Sequence, residues 1–301
     1  MDVDSSERAR SLEPISTNLP KPSTSSTPAN TPHVVIQSEE SGVQLNLRDL
    51  WFYRELLYFL TLRDIKVRYK QTIMGAAWVI IQPLMTMLIF TLIFSKFARL
   101  DTKDIPYPLF AYSGLLLWTF FSNSVTSGTY SLVNNSHLVT KVYFPRLFIP
   151  TASVGAGLVD LCIASLILVA LALYYGISPS WSITLLPVFV LLAAMLALGT
   201  GLLVSALTVK YRDLRHALPF IMQFWMFASP VIYPTSIVPE NWRWILLANP
   251  MTGVLEGFRA ALMGQDFNWT LISISAVAAT VLLGIAFYVF RALEDTFADV
   301  I

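Results

Sequence analysis

Few side chains in this sequence could carry chemistry, and Asp160 is the only carboxylate inside a long apolar run. A carboxylate deep in a membrane-spanning helix is costly and marks a functional position by default. Proton-coupled transport usually needs several such groups, so we expect Asp160 to pair with a polar neighbour or to be protonated in a helix contact. A direct role in transport is the alternative. Gln82 and Gln223 are predicted to be hydrogen-bond partners between helices rather than ligands.

Catalytic and nucleotide-binding motifs are missing from the sequence. No segment matches the GxxxxGK[ST] loop that cradles nucleotide phosphates. His33, His137 and His216 are scattered, and Cys162 stands alone, so neither a histidine cluster nor a thiolate metal site is predicted. We therefore expect a chain that is not an enzyme and binds no cofactor itself. Energy for uphill transport would come from a partner chain or an ion gradient.

The composition is typical of a lipid-embedded protein. Of 301 residues, 55% are hydrophobic and only 13% are charged, whereas soluble domains carry about a quarter charged residues. The net charge of +1 provides no basic face for nucleic acid. Six segments reach the roughly 20 apolar residues that span a bilayer, so we predict an all-α polytopic membrane protein. These spans lie near residues 74–96, 108–128, 150–175, 181–207, 216–235 and 270–291.

Positive charges between the spans predict the orientation, because lysine and arginine stay on the cytoplasmic side. About twice as many fall on the side of the N-terminus as on the other, so both termini are predicted to be cytoplasmic. The N-terminal side has Arg54, Arg63, Lys66, Arg68, Lys70, Lys141, Arg146, Lys210, Arg212, Arg215 and Arg291. The opposite side has Lys96, Arg99, Lys103, Arg243 and Arg259.

Two regions precede the first span. Residues 1–33 are rich in serine, threonine and proline, and we predict a disordered cytoplasmic leader. Residues 48–70 combine aromatic residues with basic ones, and Leu62, Ile65 and Tyr69 form an apolar stripe, which predicts an amphipathic helix in the membrane interface. Ordinary juxtamembrane charge attracted to anionic lipid is the alternative. The basic residues of this helix are Arg54, Arg63, Lys66, Arg68 and Lys70.

Aromatic residues cluster in and beside the second and fifth spans. Sugar rings present apolar C–H faces to aromatic rings, so such residues could line a path along which a glycan slides; lipid-facing filler is the alternative. Pro219, Pro230 and Pro234 are predicted to bend or break the fifth span, which favours a position beside a pathway. The pore-lining candidates are Trp118, Phe120, Phe121, Phe224, Trp225, Phe227 and Tyr233.

Two cytoplasmic loops stand out, at residues 134–150 and 209–219. The first places apolar residues within a polar rim, which predicts a short helix presented to a cytoplasmic protein; an interfacial turn resting on lipid is the alternative. These apolar residues are Val142, Tyr143, Phe144, Leu147 and Phe148.

The stretch at residues 240–269 is too long for a turn and too mixed to span. Leu255, Phe258 and Leu262 make an apolar stripe, and Glu256 and Arg259 are neighbours at i, i+3. We predict two short helices that dip partway into the membrane, shielded by protein. Helices lying on the outer surface are the alternative.

Several motifs, in order, resemble one family over residues 34–301. They are "RELLYFLTLRDIKVRYKQTIMGAAWVIIQPL", "GLLLWTFFSNSV", "LVTKVYFPRLFIP", "VKYRDLRHALPF" followed by "SPVIYP", "NPMTGVLEGFRAAL" and "FADVI". The chain is similar to the membrane subunit of ABC-2 type polysaccharide exporters, which export O-antigen, capsular glycans and teichoic acids.

The resemblance implies partners and roles. Two copies of the chain would pair with two ATP-binding cassette subunits, which would carry ATP and Mg²⁺, in the bacterial cytoplasmic membrane. A lipid-linked polysaccharide would enter near the interfacial helix and cross between the copies, past outer re-entrant helices carrying Glu256 and Arg259. The ATPase-coupling residues would be His137, Lys141, Tyr143, Phe144 and Arg146, with Lys210, Tyr211, Arg212, Asp213 and Arg215 as a second contact.

Two other functions are weighed against glycan export. An ABC-2 type exporter of a lipid or a hydrophobic drug would share the architecture, although the "KVYFPR" and "YRDLRH" runs favour a polysaccharide exporter. An ion-coupled carrier or a membrane-bound enzyme is disfavoured, because the spans lack relay carboxylates and the chain lacks a catalytic constellation.

Overall fold

The computed structural model describes residues 53–70, 75, 77–97, 105–141, 144–178, 180–294 and 297. Several sequence-based predictions lie outside these residues: the leader at 1–33, the start of the interfacial helix at 48–52, Tyr143, and most of the closing "FADVI".

Every regular element in the described part of the chain is helical, as predicted. The first half contains α1 (Arg54–Lys70), α2 (Ala77–Phe90, continued by a π-helical turn at Thr91–Phe97), α3 (Tyr107–Asn134), α4 (Ser136–Lys141) and α5 (Phe148–Tyr174). The second half contains α6 (Leu186–Lys210), α7 (Leu214–Ala228), α8 (Arg243–Ala248), α9 (Pro250–Met263) and α10 (Trp269–Glu294). Short 3₁₀ turns occupy Trp181–Leu185, Thr235–Ile237 and Glu240–Trp242.

Four described helices are long and apolar enough to cross a membrane: Ala77–Phe94, Phe148–Tyr174, Trp181–Lys210 and Trp269–Glu294. The predicted second and fifth spans correspond to α3 and α7. Helix α3 has 28 residues but is rich in serine, threonine and asparagine from Ser122 onward, which lowers its hydropathy. Helix α7 has only 15 residues, because the chain leaves the helix before the predicted end of the span.

Helix α3 is the central element, packed against α5 and α6, while α10 packs on α6 and α1 packs on α5. Small residues permit these contacts. A Cβ on Gly201 would lie 3.8 Å from Val125 of α3, and a Cβ on Gly199 would lie 3.2 Å from Leu283 of α10. Gly199 and Gly201 therefore lie at close contacts of α6 with α10 and α3.

Buried apolar residues form two clusters. One cluster includes Leu132, Val139, Phe148 and Phe290, where the end of α3, α4, the start of α5 and the end of α10 meet; we call this the α4 end. The other runs through the middle of the bundle to the opposite end, where α9 packs against α6 and α10; we call that the α9 end.

The prolines of the predicted fifth span act differently from one another. Helix α7 ends at Ala228, before Pro230 and Pro234, so the predicted break there is confirmed. A break at Pro219 is not observed, because α7 runs through it. Proline lacks the N–H that would bond to the carbonyl four residues earlier, and that carbonyl, on Arg215, instead accepts a 2.9 Å hydrogen bond from the Tyr130 hydroxyl.

Candidate functional site

Asp160 lies at the centre of the candidate site and is paired, as the sequence predicted. Its two carboxylate oxygens accept hydrogen bonds from the guanidinium of Arg68 and from the hydroxyl of Tyr69. Burial, together with the hydrogen bond to Asp160, raises the pKa of the Tyr69 phenol, so this group remains a donor at physiological pH. These two hydrogen bonds connect the last turn of α1 to the middle of α5.

A cavity of about 330 Å³ adjoins this ion pair, between α1, α2, α3 and α5. We call it the Asp160 cavity. Its lining mixes hydroxyl and amide groups with apolar and aromatic groups, and α2, α3 and α5 each contribute both kinds. The polar lining includes Arg68, Tyr69, Gln82, Thr119, Asn123, Thr126, Ser127 and Asp160, and the apolar lining includes Trp78, Val79, Pro83, Leu116, Phe120, Leu161 and Ala164.

A second depression, of about 560 Å³, continues from the Asp160 cavity towards the α4 end. Arg68 and Ser127 line both spaces, and the Arg68 guanidinium approaches the Ser127 hydroxyl at 3.5 Å. We call this depression the Arg63 groove. Its lining is mostly polar: Arg63, Asp64, Val67, Arg68, Ser127, Tyr130, Ser131, Asn134, Asn135 and Ser153.

The predicted roles of Gln82 and Gln223 between helices stay predictions. Within the described part of the chain, neither side-chain amide has a hydrogen-bond partner. Gln82 is exposed and faces the Asp160 cavity. Gln223 lies on the exposed face of α7, alongside Phe220, Phe224 and Phe227.

The basic residues of the predicted interfacial helix divide into two groups. Arg63 pairs with its neighbour Asp64 at 2.8 Å, and Arg68 pairs with Asp160. Arg54, Lys66 and Lys70 are exposed. The helix is therefore partly a structural element, with Leu60 buried against the bundle, and partly a charged surface.

The break after α7 is held by side chains from three other places in the fold. Its backbone carbonyls lack helical partners, and unpaired carbonyls are costly in a membrane. Arg259 of α9 donates to the carbonyls of Pro230 at 2.7 Å and Val231 at 2.5 Å. Tyr107 donates to the carbonyl of Ile232 at 2.7 Å. The loose backbone is thereby made into a fixed part of the α9 end.

Asn249 completes this arrangement. Its side-chain oxygen caps α9 by accepting from the Met251 N–H at 3.1 Å and also accepts from the Trp225 indole at 3.0 Å. Its amide nitrogen donates to the Ser229 hydroxyl at 2.8 Å. One residue thus connects the start of α9 to the end of α7, as expected for an N-cap asparagine with spare donors.

Among the described contacts, Arg259 forms no salt bridge with Glu256, its neighbour in the predicted i, i+3 pair. The guanidinium is buried, with 3% of the residue exposed, and lies 3.7 Å above the ring of Phe110. A third, longer hydrogen bond of 3.3 Å reaches the Phe110 carbonyl. The predicted apolar stripe of Leu255, Phe258 and Leu262 is confirmed as a buried face.

The predicted pore-lining aromatic residues fall into different environments. Trp118 and Phe121 are buried within the chain, and Phe121 packs edge-on against Trp225 at 5.1 Å. They therefore face no open path in this structure. Phe120 is buried but borders the Asp160 cavity, and Tyr233 is half-buried. Only Phe224 and Phe227 are exposed, by 70% and 50%.

The predicted first docking loop contains a short helix, α4, and the three of its five apolar residues that the structure describes are not available to a partner. Phe144, Leu147 and Phe148 are buried in the α4-end cluster. The prediction that these residues anchor a partner is wrong, because the bundle itself buries them. The exposed residues of α4 are His137, Thr140 and Lys141.

Arg146 is likewise engaged within the chain. Its guanidinium donates to the carbonyl of Glu294, and its backbone N–H donates to the Glu294 carboxylate at 3.0 Å. The same carboxylate pairs with Arg291 at 3.1 Å. The loop after α4 is thus fastened to the end of α10.

The second predicted docking loop remains accessible. Lys210, Tyr211, Arg212 and Asp213 are exposed, and Arg215 is half-buried with its guanidinium 5.9 Å from the Tyr130 ring.

Sequence reasoning missed the polar stripe of α3. Thr119, Asn123, Ser127, Tyr130 and Asn134 recur at intervals of three or four residues along "TFFSNSVTSGTYSLVN", and all of them line the Asp160 cavity or the Arg63 groove. This helical periodicity was the available signal. The same helix also has the length and apolar start of a membrane span, which makes this polar periodicity hard to recognise.

Comparisons with known proteins agree with this architecture. Residues 55–263 match the ABC-2 type transporter family. The O-antigen export system permease protein RfbA of Myxococcus xanthus is 33% identical over 84% of this chain and 98% of its own length. RfbA of Klebsiella pneumoniae is 29% identical over 84% of this chain and 97% of its own length. The polysialic acid transport protein KpsM of Escherichia coli is 25% identical over 76% of this chain and 90% of its own length.

The matched region extends from α1 to the end of α9 and therefore includes the ion pair, both cavities and the Arg259 contacts. The family match covers more than half of the sequence, and similarity to the Myxococcus protein covers nearly all of that relative. The chain belongs to the ABC-2 type transporter family of membrane proteins.

Proposed function

We propose that this chain is the channel-forming transmembrane subunit of an ATP-driven exporter that moves a lipid-linked polysaccharide across the bacterial cytoplasmic membrane. This proposal rests on the similarity to a permease named for O-antigen export, 98% of whose length is covered by the match. Similarity to a polysialic acid transport protein points to the same substrate class. Neither name supports the alternative of a lipid or drug exporter.

The proposed topology has six spans and both termini in the cytoplasm. Helices α2, α3, α5, α6 and α10, together with α7 and the break after it, would be the spans. At a rise of about 1.5 Å per residue, α3 is about 42 Å long and suffices to cross a bilayer. The positive charges at the α4 end support a cytoplasmic position for that end.

Helices α8 and α9 would form the re-entrant pair at the outer side. Nearly all of α9 is buried by protein, which is the condition for a helix that enters the membrane without crossing it. Trp242 and Trp244, beside and within α8, are exposed, as expected for residues at the membrane–water interface.

The energy source would be a separate ATP-binding cassette subunit, present in two copies and carrying ATP and Mg²⁺. The exposed residues at the α4 end support a docking surface there: His137, Lys141, Lys210, Tyr211, Arg212 and Asp213. Arg146, Phe144 and Arg215 would shape this surface from within the chain rather than touch the ATPase directly. Tyr143 lies outside the described residues, and its contact with the ATPase stays a prediction.

A second copy of the chain would complete the pathway. The exposed stripe of α7 supports this, because Gln223 interrupts it and an amide facing lipid within a span is unfavourable. Phe224 and Phe227 would then border the path. The exposed Arg54, Lys66 and Lys70 would attract anionic groups at the cytoplasmic surface where the lipid-linked glycan enters.

Deletion of the gene in its host tests this function. We expect loss of surface polysaccharide and accumulation of the lipid-linked glycan on the cytoplasmic side, both restored by the intact gene. The control is a strain with an inactive ATPase partner, which should have the same phenotype. Surface polysaccharide that persists in the deletion strain would refute polysaccharide export by this chain.

A further inference from the structure

The Asp160 cavity has hydrogen-bonding groups that the described part of the chain leaves unused. The side-chain amides of Gln82 and Asn123 and the hydroxyl of Thr119 line it, and none has a hydrogen-bond partner among the described residues. Each amide offers two donors and an acceptor. Several serines and threonines bond to their own helix, such as Thr126 to the Ser122 carbonyl at 2.7 Å. These groups of Gln82, Asn123 and Thr119 do not, so they can bond a ligand in the cavity.

The cavity is also deep. Asn123 lies 11 residues before the end of α3 at Asn134, or about 16 Å along the helix, which is about half of the 30 Å hydrocarbon thickness. Asp160 lies 12 residues after α5 begins at Phe148, at a similar depth. Polar groups at such a depth are rare and face a bundle interior or a substrate path.

The charge in the cavity is balanced. Among the described lining residues, Arg68 is the cation and Asp160 the anion, and they are bonded to each other. A phosphate or carboxylate ligand would meet a guanidinium already neutralised, and a cationic ligand would meet a carboxylate already engaged. The remaining polar lining consists of amides and hydroxyls, which suit a neutral ligand with several hydroxyl groups.

The aromatic residues of the lining suit the apolar faces of such a ligand. Trp78 and Phe120 present rings to the same space as Asn123 and Gln82, and a sugar ring combines apolar C–H faces with a rim of hydroxyls. The volume of about 330 Å³ is at the lower end of the range for ligand pockets, enough for a short piece of glycan. The Arg63 groove leads to this space from the α4 end.

We propose that the Asp160 cavity is a binding subsite within a single copy of the chain for a neutral sugar residue of the exported glycan. Asn123, Gln82 and Thr119 bond the sugar hydroxyls, and Trp78 and Phe120 pack on its ring. The Arg68–Asp160 pair holds α1 against α5 where the cavity meets the groove. The inference rests on the proposed export of a polysaccharide and adds a place where one copy holds it.

Binding to the full complex with its ATPase partner, reconstituted in nanodiscs, tests the proposal. The probe is the set of oligosaccharides released by mild acid from the host's own surface polysaccharide, followed by saturation-transfer NMR. We expect saturable binding by the native protein and binding at least about tenfold weaker after Asn123→Ala or Thr119→Val, as expected for a lost hydrogen bond or two. Matched controls outside the cavity, Asn241→Ala and Thr280→Val, should bind like the native protein.

Absence of saturable binding by the native complex would overturn the subsite, as would undiminished binding by Thr119→Val. Thr119→Val removes one hydroxyl while keeping the side-chain shape, so it decides the question even where Asn123→Ala does not assemble. A deletion strain that keeps its surface polysaccharide would instead refute the function on which the inference rests. Loss of polysaccharide in the deletion strain combined with undiminished binding by the variants would refute the subsite alone.

Discussion

The Asp160 carboxylate accepts a hydrogen bond from Arg68, which joins the helix before the first span to the middle of α5. The side chains are exposed by 30% and 12%, respectively, so the pair is partly shielded from solvent. Tyr69 bonds the second carboxylate oxygen, and the three residues form one wall of the Asp160 cavity. Asp160 thereby holds the last turn of α1 on the bundle, while Leu60 is buried further back along the same helix.

Replacing Asp160 with Asn should destabilise the protein more than it slows transport. The change leaves the Arg68 charge without its counterion, at a cost between that of surface and fully buried pairs, about 1–3 kcal/mol. We expect a lower Tm and a lower yield of assembled complex, with near-normal transport per complex. Thermal unfolding in mild detergent and transport in proteoliposomes measure the two effects.

The matched control is Asp64→Asn. It removes the carboxylate of the Arg63–Asp64 pair near the helix surface and should change Tm little. The double variant Arg68→Gln with Asp160→Asn should recover part of the lost stability, because it leaves no unpaired charge. A normally assembled Asp160→Asn complex that cannot transport would reverse this assignment.

Arg259→Met should damage the α9 end of the bundle. It removes the donors for the carbonyls of Pro230 and Val231 and leaves both buried, at about 2–5 kcal/mol in total. Arg259→Lys should restore only part of this, because an ammonium lacks the planar fork of the guanidinium. Tm of the purified protein measures the effect.

Arg243→Met provides the control for this series. Arg243 pairs with Glu240 at 3.3 Å on the exposed surface, and its loss should cost less than about 0.5 kcal/mol. Equal Tm values for Arg259→Met and Arg243→Met would mean that the carbonyls of the break find other partners.

Gly114→Ala should be disruptive although alanine is the better helix former. A methyl group on Gly114 would overlap the Arg259 guanidinium and the Val231 carbonyl. Gly128→Ala, in the same helix, places the methyl 3.8 Å from its nearest neighbours, an ordinary contact that favours stability. We expect a lower Tm for the first variant and an unchanged or higher Tm for the second; the reverse order would contradict the packing of α3 against the break.

Local patterns predicted the helices well and the environments of single side chains less well. The break at Pro230 follows from the missing N–H of proline, and the pairing of Asp160 follows from the cost of buried charge. The burial of Phe144 and Trp118 could not be predicted, because an apolar residue in a membrane protein can face lipid, a partner or its own bundle with the same hydropathy. Arg68 was predicted only as a headgroup contact, since its partner is 92 residues away.

Lys141→Glu should weaken association with the ATPase subunit without affecting the fold. Lys141 is exposed at the end of α4, whereas its neighbour Val139 is buried in the α4-end cluster. Reversal of one surface charge should cost little stability but lower the rate and strength of association. Co-purification with the ATPase partner and ATPase activity of the complex measure the result, with Tm as the check on folding.

The control for docking is Arg243→Glu, a charge reversal at the α9 end, which should leave association unchanged. Arg146→Ala, by contrast, should lower Tm as well as association, because it releases the loop from Glu294. A Lys141→Glu protein that binds the ATPase like the native chain would remove α4 from the docking surface.

Phe224→Ala and Trp225→Ala change adjacent residues of α7. The first should mainly slow transport, and the second should mainly lower stability. Phe224 is 70% exposed, so its loss should change Tm little but slow glycan export if it borders the path. Trp225 packs against Phe121 and donates to Asn249, so its loss should cost about 3–5 kcal/mol and lower export mainly through the amount of folded protein. Surface polysaccharide per assembled complex, with the amount of complex measured in parallel, separates the two. Native export by Phe224→Ala would place this face of α7 against lipid, and the aromatic stripe would then have no part in moving the glycan.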